Sequence, residues 1–236
     1  VNIKVLPVPE DSTKVDVMVF TRDSWTIGVD GGINNGRRVF GGVYDQNFLG
    51  SGNRLSVRVN YAYGDRKYWG NLFEYETPNL WKTFYQAKIR AGRDFENLYY
   101  EGQVSKDFIS PRDYSIGLVL ADNRLKYYEL YRDDTTFVEY RKVDTWAGKS
   151  LKFKNRNTSI YLTGRYTHYT YDRRPVETGP RFNPAFHNMN RWLFGLGIYR
   201  EQFYTANLIY GFGFREYLAA GYRAELVGGY NNGEFN

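Results

Sequence analysis

Cysteine is absent from this chain of 236 residues, which excludes disulfides and thiolate metal centres and leaves the redox compartment open. Histidine occurs only at His168 and His187, a spacing that suits no metal site once cysteine is gone, so no metal ligands are assigned. Long apolar runs are also missing. No stretch of about 18 apolar residues exists from which a transmembrane helix could be built. A strand that crosses a bilayer needs only about 9–11 residues, half of them apolar, so a membrane protein made of strands stays open. No basic-then-apolar leader is present, and the expectation is that any signal peptide has been removed or lies upstream.

Aromatic residues are abundant, at 19%, while the mean hydropathy of −0.61 is hydrophilic. Many Tyr, Trp and Phe on a hydrophilic average are what alternating lipid-facing and water-facing residues produce. The net charge of +6 admits nucleic acid, anionic lipid or an acidic substrate. However, Arg54, Arg58, Lys88, Arg90, Arg141, Arg165 and Arg223 are dispersed at alternate positions, which reads as the wet face of a sheet rather than a polyanion site. No nucleic-acid partner is expected.

Period two dominates the chain. Leu55, Val57, Val59, Tyr61 and Tyr63 alternate with Arg54, Ser56, Arg58, Asn60 and Ala62. Ile160, Leu162, Gly164 and Tyr166 alternate in the same way with Tyr161, Thr163, Arg165 and Thr167. Residues 1–22 differ: a short apolar strand, a connector with Pro7 and Pro9 and a second strand over 15–20 read as the last hairpin of a preceding module. Residues 23–236 read as about eleven antiparallel up-and-down strands, an all-β chain, joined at Asn34-Asn35-Gly36, at residues 64–67, at Ser110-Pro111-Arg112-Asp113 and at further polar connectors. The connector 173–190 is long, Pro-rich and polar, and is expected on the exterior side of a barrel, as an ordinary loop more than a lid. Aromatics near strand ends (Tyr68, Trp69, Tyr99, Tyr100, Tyr127, Tyr128, Tyr169, Tyr171, Tyr199, Phe203, Tyr204) suggest two interfacial girdles. The competing reading is a soluble β-sandwich with a Tyr-rich surface, which strands of 10–14 residues disfavour.

Four segments carry a resemblance. "VDVMVFTRDSWTIGVDGG" leads into the first long strand, and "VYDQNFLGSGNRLS" holds Asp45, Asn47, Phe48, Leu49, Gly50 and Gly52. "EYETPNLWKTFYQAKIRAG" and "YGFGFREYLAAGYRAELVGGYNNGEF" follow. Together they resemble the Omp85 superfamily of outer-membrane assembly and translocation barrels. The resemblance implies a POTRA-like periplasmic module ending in residues 1–22 and a transmembrane β-barrel over 23–236, located in a bacterial-type outer membrane. The family's barrels have 16 strands. This chain accounts for about eleven and lacks both the family's lumen-loop motif and its closing strand, so it is expected to be a piece of a longer protein or a barrel completed by another chain.

No catalytic constellation is assigned, and no enzyme or cofactor is expected. Glu74 and Glu76 share a strand face without a cleft; Asp133, Asp134 and Asp172 sit in turns; the Gly211-Phe212-Gly213 run suits strand packing better than phosphate binding. His168 has apolar parity near a strand end and reads as an interfacial aromatic. The working part implied by the resemblance is a backbone edge: the first barrel strand, with Trp25, Ile27, Gly28, Gly31 and Gly32, as a seam where a client strand adds by β-augmentation. Implied partners are client outer-membrane proteins, outer-membrane lipids, the remaining barrel strands, and accessory periplasmic or surface lipoproteins. The alternative is a passive porin-like or transport barrel with a basic lumen.

Overall fold

The computed structural model describes residues 2–8, 11–20, 25–34, 36–63, 68–110, 112–129, 134–152, 158–175, 186–207 and 215–234. Asn35, the 64–67 turn, Pro111, Asp133, most of the long connector (176–185) and the Gly211-Phe212-Gly213 run lie outside these residues.

Every regular element among the described residues is a strand. A first pair, β1 (Asn2–Val8) and β2 (Asp11–Phe20), forms its own antiparallel sheet, with Val5 opposite Val17. Pro7 lies inside β1 rather than in the connector, opposite Val15 and next to a register shift, as proline requires in an edge strand.

The remaining strands are β3 (Ile27–Asn34), β4 (Arg38–Phe48), β5 (Asn53–Ala62), β6 (Tyr68–Leu80), β7 (Tyr85–Asp94), β8 (Asn97–Lys106), β9 (Tyr114–Glu129), β10 (Asp134–Lys152), β11 (Thr158–Arg173), β12 (Met189–Asn207) and β13 (Arg215–Gly233). They form one eleven-stranded sheet in strictly sequential antiparallel order. The sheet is open: β3 pairs only with β4, and β13 only with β12, among the described residues.

Register converts the alternation into two faces. Val29, Val43, Val57, Phe73, Ala91 and Tyr100 stand directly opposite one another across β3 to β8. Val104, Leu118, Thr145, Tyr166, Trp192 and Tyr230 continue the same face from β8 to β13. This apolar face is the exposed one: Val29 is 77% and Leu196 54% accessible. The opposite face carries the mid-sheet ion pairs, while Asp122, Arg124, Glu139 and Arg141 have apolar-face parity toward one end of β9 and β10; on the polar face Asn60, Asn123 and Asp144 are only 1–2% accessible.

Two features explain that burial. Side chains on the polar face reach over an intervening strand, as they do on the inner side of a curled sheet. Asn60 of β5 donates to the Arg93 carbonyl at 3.0 Å and accepts from the Phe95 amide at 2.8 Å, and Arg223 of β13 donates to the Tyr161 hydroxyl of β11 at 3.0 Å. Glycines on the middle strand make room for them. The Asp30–Arg58 ion pair, at 2.8 Å, steps across Gly42, where the Asp30 carboxylate takes the space of a side chain. The rings of Tyr44, Trp146 and Tyr161 likewise lie where a Cβ would project from Gly28, Gly117 and Gly197.

The aromatic residues divide between the faces. Tyr61 with Trp69 (4.8 Å between centroids) and Tyr166 with Trp192 (4.3 Å) belong to the apolar face. Tyr99, Tyr169 and Tyr171 do not: they lie on the polar face, where the Tyr140 ring is 5.8–6.0 Å from those of Tyr169 and Tyr171. Closeness to a strand end does not determine a face; parity does.

Candidate functional site

The sequence-based candidates meet at one corner of the sheet. Ile27, the first residue of β3, stands opposite Asp45, and the Gln46 amide donates to the Thr26 carbonyl at 3.0 Å. The Asp45-to-Gly52 motif and the start of the first long strand therefore form one unit. Trp25 is 86% exposed beside it.

Within β3 the glycines differ in role. Gly28 and Gly32 lie on the polar face under the rings of Tyr44 and Phe40. Gly31 stands opposite Gly41 on the apolar face, where the backbone of both strands is bare. On its free side β3 has no strand partner among the described residues, and such an edge is the template on which another strand pairs. Side chains tie β3 inward through Asp30, which reaches Arg58 of β5, two strands away.

The motif is a self-contained turn. Asp45 Oδ1 accepts from the Asn47 amide at 2.9 Å, and Asn47 Oδ1 accepts from the Gly52 amide at 2.7 Å. The Gly50 amide donates to the Asn47 carbonyl at 2.8 Å, and the Ser51 amide and hydroxyl both donate to the Phe48 carbonyl, at 3.1 and 2.5 Å. Leu49, Gly50 and Gly52 take left-handed φ values of 54°, 71° and 72°. Asn47 is the side chain that holds the loop, while Gly50 and Gly52 supply its conformations.

The same turn occurs again at residues 79–84. The Phe84 amide donates to Asn79 Oδ1 at 2.8 Å, the Lys82 amide to the Asn79 carbonyl at 3.3 Å, and the Thr83 amide and hydroxyl to the Leu80 carbonyl, at 3.1 and 2.5 Å. Trp81, Lys82 and Phe84 repeat the left-handed φ values, at 49°, 62° and 64°. No glycine relieves them, and each such residue costs about 1–2 kcal/mol. The shared signal is Asn47 and Ser51 against Asn79 and Thr83. The glycines at 50 and 52, replaced by Lys82 and Phe84, hide the equivalence in the sequence.

The most highly built polar cluster is elsewhere, at mid-sheet on the polar face. Asp144 of β10 accepts from Arg165 through both carboxylate oxygens, at 2.8 and 2.6 Å, from Lys142 at 2.9 Å and from Thr167 at 3.1 Å. Arg90 lies between Glu74, at 3.2 Å, and Glu101, at 3.9 Å. Thus Arg58, Arg90, Arg165 and Arg223 each face a carboxylate, Arg223 pairing with Glu225 at 3.2 Å. That pairing fits a neutralised wet face better than a polyanion groove.

The remaining candidates occupy separate places. His168 lies on the apolar face between Val143 and Asn190, its nitrogens 2.8 Å from Asn190 Oδ1 and 2.9 Å from Thr170 Oγ1. Asp172 pairs with Arg141 at 2.9 Å. At the ends of the long connector, Arg174 and Asn188 both bind Glu234, and Phe186 packs edge-on against Tyr127 and Tyr171. Arg174's hydrogen bond is the largest influence on the Glu234 carboxyl, holding it below its usual range. No group of three or more His, Asp or Glu residues suited to a metal occurs among the described residues. Set against family models, curated proteins and solved structures, the chain matches none.

Proposed function

We propose that the eleven-stranded sheet is part of a transmembrane β-barrel of the Omp85 type in a bacterial outer membrane. On this reading residues 1–22 end a POTRA-like module, and the barrel inserts client outer-membrane proteins or translocates polypeptide without nucleotide, metal or cofactor. The observation that carries the membrane reading is the inversion of the two faces. Large apolar side chains are exposed across the sheet while polar residues on the other face are buried and paired. Moving an exposed Val, Leu or Phe side chain into hydrocarbon contributes about 1.5–3 kcal/mol, so such a face is stable in lipid and aggregation-prone in water.

The handling of polypeptide is supported by the free edge of β3 and by the resemblance of the Asp45-to-Gly52 motif. An incoming strand gains main-chain hydrogen bonds from such an edge whatever its side chains are. The test is a photo-crosslinking residue at Val29 or Ile33 in the complete natural protein, with an unfolded outer-membrane protein supplied as client. Crosslinks that fall away when β3 is disulfide-locked to its closing neighbour support the seam. A locked protein of full activity, or a passive pore that crosslinks no client, overturns it. Monodisperse behaviour without detergent overturns the membrane reading itself.

A further inference from the structure

Among the described residues, exposed apolar side chains mark one end of the sheet at successive connections: Trp25 before β3, Leu49 between β4 and β5, Trp81 with Phe84 between β6 and β7, and Ile109 between β8 and β9. Sequential antiparallel order puts all four connections on the same end. Leu49 and Trp81 occupy the same position of the same turn and are 86% and 85% exposed. At that position the backbone is left-handed, which favours glycine or asparagine, yet a large apolar residue stands there in both copies. Folding of the turn therefore does not explain the residue; something outside the sheet does.

We propose that these tips are a row of bilayer anchors, seated at the boundary between headgroups and acyl chains of one phospholipid leaflet. The proposal rests on the membrane reading above. Three observations favour lipid over a protein partner. Successive tips are separated by one and a half to two strand spacings, about 7–10 Å, so they form a line along the rim rather than a compact patch. Protein hot spots cluster at the centre of an interface. The apolar face ends at this same rim, with Leu55 of β5 and Ala87 of β7 in its last rows. Exposed basic residues are interspersed with the tips: Lys82 in the second turn, and Arg112 with Lys149, whose ammonium donates to the Arg112 carbonyl at 3.1 Å. Among the described residues the acids there are Asp107, Glu76, which stands between Arg54 and Lys88, Asp45, which caps its own turn, and Asp113, which pairs with Lys106 at 2.6 Å. Trp at an interface, with Lys or Arg beside it, is the side-chain set that anchors a protein at headgroup depth.

Because the chain has no cysteine, single probes can be placed without background. The full chain carrying Leu49→Cys, Trp81→Cys or Leu118→Cys is labelled with an environment-sensitive dye. It is then refolded into vesicles of phosphatidylethanolamine and phosphatidylglycerol containing doxyl lipids. Probes at 49 and 81 are expected to be quenched best by a doxyl group near the headgroup end of the acyl chain, and the probe at 118 by a deep one. Water-like, unquenched emission at 49 and 81 with quenching at 118 overturns the anchors and leaves the membrane reading standing. Unquenched emission at all three removes both. As a second arm, Leu49→Asn with Trp81→Asn keeps residues that tolerate left-handed φ, and is expected to slow insertion into these vesicles several-fold; an unchanged rate overturns the proposal.

Discussion

The two faces of the eleven-stranded sheet have opposite chemistry and opposite exposure. On one, Val29, Val57, Leu118, Leu196 and Leu226 stand exposed from β3 to β13. On the other, Asp144, Asn60 and Asn123 are closed off by neighbours that hydrogen-bond them. A sheet in a soluble domain buries its apolar face against a second layer and leaves the polar face in water. Here the described residues supply no layer over the apolar face, while side chains of the polar face reach across intervening strands and cover one another. Under the proposed membrane reading, this difference assigns hydrocarbon to the apolar face and water to the paired polar one.

A charge on the apolar face is the largest way to break that comparison. Leu118→Arg is expected to destabilise the protein in vesicles by about 2–4 kcal/mol, the depth-dependent penalty for arginine near a bilayer midplane. Gln103→Arg, on the polar face of the adjacent strand, is expected to change stability by no more than about 0.5 kcal/mol. Both are read by urea titration of Trp fluorescence. Equal, near-zero effects would mean that the apolar face sees water.

On the polar face, Asp144→Ala removes the acceptor shared by Arg165, Lys142 and Thr167. Breaking a fully buried pair costs about 3–5 kcal/mol, but the Arg165 side chain is half exposed, so about 1–3 kcal/mol is expected. Arg165→Lys, which cannot make the two-pronged contact, falls in between. A double variant that loses no more than either single one would show that the two residues act as one unit.

Glycines sharpen the contrast at the level of single methyl groups. Gly117→Ala and Gly197→Ala place a methyl group inside the rings of Trp146 and Tyr161, and are expected to destabilise by about 1–3 kcal/mol. Gly41→Ala and Gly102→Ala, on the apolar face with nothing within 4 Å, are expected to be neutral or to stabilise by up to about 1 kcal/mol. Melting of the four variants side by side distinguishes the faces. For the twin turns, Asn47→Ala and Asn79→Ala should each cost about 0.5–1.5 kcal/mol, since each removes one side-chain acceptor.

The sequence made strands and faces legible because period two is local: Leu55, Val57, Val59 and Tyr61 identify their own face without reference to any partner. Eleven strands were readable for the same reason, and all eleven form the sheet. Register was not readable, and the polar-face chemistry depends on it. Lys142 and Asp144 share a face by spacing alone, whereas Arg165 joins them only once β11 is aligned with β10. Tyr44 over Gly28 and Tyr161 over Gly197 are invisible until each ring is known to stand opposite its glycine. The second turn was hidden for a different reason, because its conformation is carried by Asn79 and Thr83 while the familiar glycines are missing. For the edge of β3, the sequence and the resemblance pointed to the strand, and the geometry adds that two of its glycines are covered by rings and that Asp30 ties it to β5.

The smallest effect concerns pH at the rim that carries the tips. The Asp113 carboxyl is lowered to about 2, chiefly by its hydrogen bond from the Lys106 ammonium, with the Tyr114 and Ile109 amides adding to it. A carboxyl whose pKa is depressed on folding contributes stability that is present above its unfolded value, near 4, and is lost as the pH falls through its folded value, near 2. Acidification from pH 4 to pH 2 should therefore loosen the β8–β9 connection, visible as faster amide exchange at Ile109 and Tyr114. In Asp113→Asn this part of the pH dependence should vanish, because the amide cannot ionise, while Leu118→Arg leaves it intact. An acid-induced loosening that persists unchanged in Asp113→Asn would assign it to other carboxylates, and the ion pairs of the polar face, Asp144 with Arg165 first among them, would be the place to look.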